Sequence, residues 1–336
     1  MTYRTGPRNL ITDVAGLSVG NADDPALKSG VTAVICARPA VAGVAILGGA
    51  PGTRETDLLE PHNTVGHIDG LVLSGGSAFG LDAASGVQAF LRERGIGFAV
   101  RDALVPLVSQ ASSFDLVNGG DKNWGRYPPY RELGYEAARN AGQDFALGTA
   151  GGGYGATTAN LKGGLGSTSA VTSAGHMVGA LVVVNSVSSA VIGNGPHFWA
   201  GALEEGGEFG GHGHPDRVGP ETRKLIWKGG PQPATTIALV ATDAVLTKGQ
   251  AKRLAIASHA GLARALRFSH ALFDGDAIFA AATGRRPLRD EASEFTELTA
   301  LAADCLTRAI ARGVYEATAL PYPGAQPAWR DLFAAA

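Results

Sequence analysis

A mixed fold of the α+β class is what the sequence predicts, and three observations predict it. Short apolar runs rich in Val, Ile and Ala recur along the chain, longer segments with apolar residues at helical spacing lie between them, and 48 of the 336 residues are glycine, about twice the usual share. Glycine at that density permits tight turns and close backbone approach, which suits packed layers better than a tail or a coil. A chain of this length buries a sizeable core, as one large domain or two small ones.

Strands are expected at residues 31–36, 44–47, 70–73, 98–100, 177–184, 235–241 and 277–281, where β-branched and other apolar residues run together. Most of them read as buried on one face or both. Helices are expected over 77–94, 131–140, 247–267 and 293–317, with Ser, Thr or other polar residues available as caps. The third is the clearest: Leu254, Ala255, Ile256, Leu262 and Leu266 give it an apolar side, and Lys248, Lys252, Arg253 and Arg264 a solvated one. Residues 204–233 break this rhythm, being rich in Gly, Pro and charge with little periodicity before LIW. They read as a long, exposed, flexible loop, and structureless loops of that length are usually functional or disordered.

Composition excludes several classes. Charged residues are only 17% of the chain, the net charge is −2 and the isoelectric point is about 6.4, so no basic surface is available to track nucleic acid and no lysine-rich stretch to bind a membrane. Cys36 and Cys305 stand far apart without metal-ligand company, which argues against a disulfide framework and fits a reducing compartment. The first residues lack the apolar core of a signal peptide, and the apolar stretch 31–49 is broken by Arg38 and Pro39 before it could span a bilayer. A soluble cytoplasmic protein is the expectation.

The sharpest local feature is PQPATTIALVATDA, where the loop stops and a buried strand opens abruptly with Thr235 and Thr236. By themselves two threonines opening a strand are ordinary, because threonine is strand-favouring. The functional reading is that the Thr235 hydroxyl attacks the Ala234–Thr235 peptide bond, turns it into an ester, and after hydrolysis leaves Thr235 as a new N-terminus. An α-amine titrates at roughly 7.7 to 8.0 against ~10.4 for lysine, so it is partly neutral at pH 7 and can accept the hydroxyl proton. One residue then supplies nucleophile and base.

Other residues offer company for it. In ALFDGDAIFAA, Asp274 and Asp276 flank Gly275, either as a DG turn entering a strand or as a carboxylate pair that orients the Thr235 amine and hydroxyl and shares a proton. Upstream, GTAGGGYGATTANLKGGLGSTSA packs glycines around Lys162 but has the spacing of neither a P-loop nor a dinucleotide fingerprint. Its glycines allow close chain approach. Lys162 is either a surface lysine or a cation beside the Thr235 amine that lowers its pKa. Asn185 ends the apolar run HMVGALVVVN, as a turn former or as an amide donor to an oxyanion. His212 and His214 lack the partners a metal needs, and Ser74 in VLSGGSAFG lacks the GxSxG spacing. Neither a metal nor a cofactor is expected.

Several segments together resemble one family, the self-processing L-aminopeptidase/D-esterases and β-aminopeptidases, which includes the nylon-oligomer endo-hydrolases. ITDVAGLSVGNA, SGVTAVIC, DGLVLSGGSAFGLDAASGV, LKGGLGSTSA, GALVVVNSV, ATTIALVATDAVLTKGQAKRLAIASHAGLARAL and FDGDAIFA fall in family order over nearly the whole chain. The resemblance implies a four-layer αββα sandwich of the N-terminal-nucleophile type, a single catalytic domain cut into fragments 1–234 and 235–336, and a tetramer or larger assembly. It implies Thr235 as nucleophile, Asn185 at the oxyanion site, Lys162 as the active-site lysine of the nylon-oligomer branch, and Asp274 and Asp276 as that branch's Asp-x-Asp. Phe114 stands where some members place an active-site tyrosine, and with Thr236 it is expected to line the substrate pocket. Ala234 stands where other members have Asn or Gly. The implied activity is hydrolysis of small peptides or amides. Two alternatives stay open: an acyltransferase similar to ornithine acetyltransferase, and an uncut ligand-binding protein.

Overall fold

The structure, a computed structural model, describes residues 4–229 and 234–334. Eight strands and four helices carry the architecture: β1 (Leu17–Asp24), β2 (Ser29–Ile46), β3 (His67–Ser74), β4 (Val108–Ser112), β5 (Gly164–Val171), β6 (Met177–Asn185), β7 (Thr235–Ala244) and β8 (Ala277–Arg286), with α1 (Ala83–Glu93), α2 (Tyr130–Arg139), α3 (Lys248–Ala265) and α4 (Glu291–Tyr315). The strands run β5-β6-β7-β8-β2-β3-β4, with β1 also paired to β2 and two-residue strands at the edges. All pairs are antiparallel except β7 with β8 and β3 with β4.

Strand side chains alternate between faces, and that alternation sorts the chain into four layers. Ala180, Val182, Val184, Ala238, Val240, Ile278 and Ala280 point to a core shared with Leu254, Leu262, Leu298, Leu306 and Ile310 of α3 and α4. Their neighbours Leu181, Val183, Ile237, Leu239 and Phe279 point the other way, to a core shared with Val19, Val34, Leu71 and Leu73. On the far side Val31, Ala33 and Val72 pack against Val87, Leu91, Leu133 and Ala137 of α1 and α2. Three cores between helices, sheet, sheet and helices make an αββα sandwich.

One strand joins the two sheets. Residues 31–35 of β2 pair with β3, residues 41–46 pair with β8, and the register shifts between Ile35 and Ala40. The sequence reads this segment as two strands broken at Arg38 and Pro39. Proline removes a ladder donor and is confined to edges and irregularities, so here it marks a bend inside one 18-residue strand.

Glycine explains the close contact of β5 with α4. A Cβ added at Gly166 would lie 1.9 Å from the Ala309 carbonyl oxygen, and one at Gly164 would lie 2.4 Å from that of Gly313. The helix therefore rests on strand backbone. The N-terminus of α3 is capped by Thr247, whose Oγ1 accepts from the Gln250 N–H at 3.2 Å. Ile256 is 40% exposed, because it lies two residues, about 200° at 100° per residue, around the helix from Leu254. The segment at 98–100 forms an exposed hairpin with Ala103–Val105. The expected exposed loop is for the most part open to solvent but is tied down at two points: Phe209 is buried and belongs to the core under α4, and Lys228 is buried; its last residues, 230–233, lie outside the described residues. Cys36 and Cys305 are free and buried, and no described helix is long and apolar enough to cross a membrane.

Gly166→Ala tests the helix-on-strand contact. We expect a loss of about 1–3 kcal/mol, the usual range for overpacking, as a lower urea midpoint at unchanged slope.

Candidate active site

Sheet pairing alone gathers the site. Asn185, the last residue of β6, is the antiparallel partner of Thr235, the first residue of β7. On the other side β7 runs parallel to β8, and an additional bridge pairs Ala234 with Asp274. Paired strands lie about 4.8 Å apart, so Asn185, Thr235 and the Asp274–Asp276 segment stand side by side at one end of the sheet. Asp274 and Asp276 are held from behind as well: the Ala50 N–H donates to the Asp274 carbonyl at 2.8 Å, and those of Leu47 and Gly48 to the Asp276 carbonyl at 3.1 Å.

The Ala234–Thr235 junction is buried, with Ala234 1% and Thr235 4% exposed. The Thr235 hydroxyl donates to the Ala234 carbonyl oxygen at 2.5 Å, and the Gly275 N–H donates to the same oxygen at 2.9 Å. Gly275 has to be glycine to come so near, since a Cβ there would sit 2.8 Å from the Thr235 Oγ1. One carbonyl thus receives a backbone N–H and the hydroxyl of the next residue together.

The two aspartates differ in what they hold. Asp276 accepts the Thr236 N–H on Oδ1 at 2.7 Å and the His270 N–H on Oδ2 at 2.8 Å, and its Oδ2 lies 3.0 Å from the His270 Nδ1. Asp274 accepts the Ala271 N–H on Oδ2 at 3.0 Å, while its buried Oδ1 has no hydrogen-bond partner among the described residues. Burial first, and the charge of Asp276 second, push the Asp274 carboxyl up to about 6. It is the acceptor of the site with capacity to spare.

Asn185 is 1% exposed and held at both ends of its side-chain amide. Its Oδ1 accepts the Thr157 N–H at 3.0 Å and the Lys228 ammonium at 3.0 Å, and its Nδ2 donates to the Phe114 carbonyl at 2.9 Å. Lys228 also donates to the Asn185 carbonyl at 3.2 Å. Lys162, by contrast, donates to the carbonyls of Gly153 at 3.1 Å and Gly163 at 2.9 Å. Burial lowers both ammonium groups to about 7; Asp115 opposes this at Lys162, and Asp274 and Asp115 oppose it at Lys228. Asp115 is itself buried, held by the Ser29 hydroxyl at 2.6 Å and the Gly76 N–H at 2.8 Å, and burial raises it above the usual carboxylate range.

Phe114 is half-buried and lines a cleft of about 150 Å³ together with Asp115, Thr157, Lys228, Tyr322 and Gln326. Thr236 is fully buried. Its side chain lies on the opposite face of β7 from Thr235, as strand alternation requires, and it is not among the residues lining that cleft. His212 packs edge-on against Trp329 and His197, and no group of described residues is arranged to hold a metal ion.

Sequence reasoning reached Thr235, Asn185, Asp274 and Asp276, and the structure brings these four together. Lys162 is buried nearby with its ammonium on glycine carbonyls, while the cation in contact with Asn185 is Lys228. The sequence reading passes over Lys228 because it lies in the Gly- and Pro-rich segment, and the apolar LIW just before it is no guide, since Leu225 and Trp227 are exposed. Asp115 and the Gly275 N–H were also missed, the second because a backbone donor leaves no side-chain signature.

The chain matches the pattern of peptidase family S58 over residues 9–326. It is 41% identical over 349 residues to an uncharacterized aminopeptidase of Mycobacterium tuberculosis, covering 97% of this chain and 98% of that one. It is 38% identical over 339 residues to an uncharacterized aminopeptidase of Mycobacterium leprae, covering 92% and 91%. Among solved structures, a Burkholderia sp. β-aminopeptidase superposes with a TM-score of 0.73 at 22% identity, over 98% of this chain and 93% of that one. The L-aminopeptidase D-Ala-esterase/amidase of Ochrobactrum anthropi, a serine aminopeptidase with a variant of the Ntn hydrolase fold, superposes with a TM-score of 0.70 at 22% identity, over 96% and 90%.

The aspartates give a contrast that thermal melts at several pH values check. Asp274 has a folded pKa raised above its unfolded one, so the stability it contributes is present at low pH and is lost as pH rises from about 4 through about 6. Asp274→Asn removes that loss and can offer its amide where Oδ1 is unpaired. We expect it to melt higher than wild type at pH 8, by a margin that shrinks toward pH 4. Asp276→Asn sets an amide donor against a backbone N–H and should cost about 1–3 kcal/mol at pH 4, offset in part at pH 8 by the loss of the charge that raises Asp274.

Proposed function

The chain belongs to peptidase family S58 and is a hydrolase of the aminopeptidase kind, and from that premise we propose that it cuts itself before Thr235 and then uses Thr235 as an N-terminal nucleophile. The observation that carries this reading is the double hold on one carbonyl. The Thr235 hydroxyl and the Gly275 N–H both donate to the Ala234 oxygen, at 2.5 and 2.9 Å. Rotation about the threonine χ1 takes Oγ1 from that oxygen toward the adjoining carbon. Attack there forms a five-membered ring, and the Gly275 N–H holds the oxyanion. The C–N bond breaks as the nitrogen takes up the proton, leaving an ester between Ala234 and the Thr235 oxygen. Water hydrolyses the ester to an Ala234 carboxylate and a free Thr235.

The new α-amine, at roughly 7.7 to 8.0 in its ordinary state, is then the base for the Thr235 hydroxyl. The unpaired Asp274 Oδ1 is the acceptor that orients the amine. A small peptide or amide enters the cleft beside Phe114 and Lys228, and its carbonyl is attacked by Thr235. An amide has two N–H bonds, and Asn185 gives one to Phe114, which leaves one for the oxyanion. Water then releases the acyl group. Lys162 contributes positive charge from behind the site rather than a contact with the reacting atoms. The proposal includes assembly into a tetramer or larger, which sedimentation measures.

Cutting gives fragments of 234 and 102 residues, about 24 and 10 kDa in proportion to 34.2 kDa. Denaturing electrophoresis and N-terminal sequencing should find both, with the smaller beginning at Thr235. Thr235→Ala should stay whole and hydrolyse nothing; turnover surviving in that variant would assign the nucleophile elsewhere. Loss of the Asn185 donor in Asn185→Ala should lower kcat by about 10²–10³-fold.

A further inference from the structure

We propose that Lys228 is a positioning residue of this site, clamping the Asn185 side-chain amide so that its nitrogen, and not its oxygen, is left to serve an oxyanion at Thr235. The inference rests on the reaction proposed above. An asparagine amide is nearly symmetric in shape, and a half-turn exchanges donor for acceptor. Here Oδ1 takes the Thr157 N–H and the Lys228 ammonium, both at 3.0 Å, while Nδ2 gives a hydrogen bond to the Phe114 carbonyl at 2.9 Å. A flipped amide would set its NH2 against an N–H and an ammonium, and its oxygen against a carbonyl. Of the three restraints only the one from Lys228 is charge-assisted, and so the strongest of its kind. An ammonium on Oδ1 also draws electron density from the amide, which makes the Nδ2 hydrogens better donors.

Lys228 is built to stay there. It is 8% exposed, its own N–H donates to the Val187 carbonyl at 2.9 Å, and its neighbour Trp227 is bridged to Ser188. The same ammonium reaches the Asn185 carbonyl at 3.2 Å, so one cation holds the side chain and the backbone of a single residue. The charges facing it are Asp274 and Asp115, which favour the ammonium, and Lys162, which does not. Burial brings the group to about 7, so its working form is lost as pH rises through neutrality.

The test measures kcat and KM with alanine 4-nitroanilide between pH 6 and 9 for wild type, Lys228→Met, Lys228→Arg, Asn185→Ala and the Lys228→Met/Asn185→Ala double variant. Lys228→Met should lower kcat about ten- to a hundredfold, part of what a whole oxyanion donor supplies, with KM little changed. In the Asn185→Ala background the same substitution should cost nothing further, because the residue acts through that amide. The neutral Thr235 amine gains with rising pH while the Lys228 ammonium is lost, so above neutrality wild type should fall behind Lys228→Arg, whose guanidinium stays charged and which should match wild-type kcat at pH 6. Multiplicative losses in the double variant, an unchanged kcat in Lys228→Met, or a Lys228→Arg profile no higher than that of wild type above neutrality would each overturn the proposal. Should Lys228→Met fail to fold or cut, Lys228→Arg carries the test. Failure of both to melt cooperatively would overturn it too, by assigning Lys228 to the fold. An inactive wild type, or an active Thr235→Ala, would instead sink the reaction on which the inference rests.

Discussion

The register of β7 between its two neighbours is the constraint on which the site depends. Every residue from Thr235 to Ala244 is buried, with Ala238 and Val240 committed to one core and Ile237 and Leu239 to the other. A slip of one residue would exchange the two sets, moving branched side chains into positions shaped for alanine. The cores thus forbid the slip, and in doing so they fix which residue of β6 faces Thr235 and which residue ahead of β8 faces Ala234. Chemistry at the strand end inherits its geometry from apolar packing some turns away.

Opposite charges meet at this end of the sheet in a dry setting. Asp115, Asp274 and Asp276 supply three carboxylates and Lys162 and Lys228 two ammonium groups, all five buried. Buried charges survive when paired or well hydrogen-bonded. Here the pairing is distributed: Asp115 favours both lysines, Asp274 favours Lys228, and Asp276 takes two backbone N–H groups. Two lysines near neutrality and one carboxyl near 6 mean that small changes of partner decide which groups are charged. A new amine and a new carboxylate at the Ala234–Thr235 junction would be such a change.

Much of this was legible in the sequence, and for physical reasons. Long apolar runs such as MVGALVVVN and TTIALVATDA announce strands buried on both faces, and the polar residues that interrupt or end such runs, Asn185 and Thr235, stand out because burying them has a cost that something must offset. β1, β4 and β5 were not legible, since GLGSTSAV and VSQAS carry too few branched residues to signal a strand. They are strands because their neighbours are. Lys228 was hidden by the same logic in reverse: glycine and proline around it advertise a loop, and only the tertiary fold buries Lys228 against Val187 and Asn185. The four-layer arrangement followed from resemblance, while its cause, the alternation of one strand's residues between two cores, needed the structure.

The cleft is lined by different material than the strand end next to it, which it meets where Phe114, Thr157 and Lys228 bond to Asn185. Asn185, Thr235 and Asp274 are anchored in the sheet, whereas Phe114, Tyr322 and Gln326 belong to segments outside regular strands and helices. Loops tolerate replacement far better than paired strands do. Under the reaction proposed above, a chain built this way separates what it does to a carbonyl from which carbonyl it admits, so its choice of amide would be open to revision by a few loop substitutions while the two cores keep Thr235 in place.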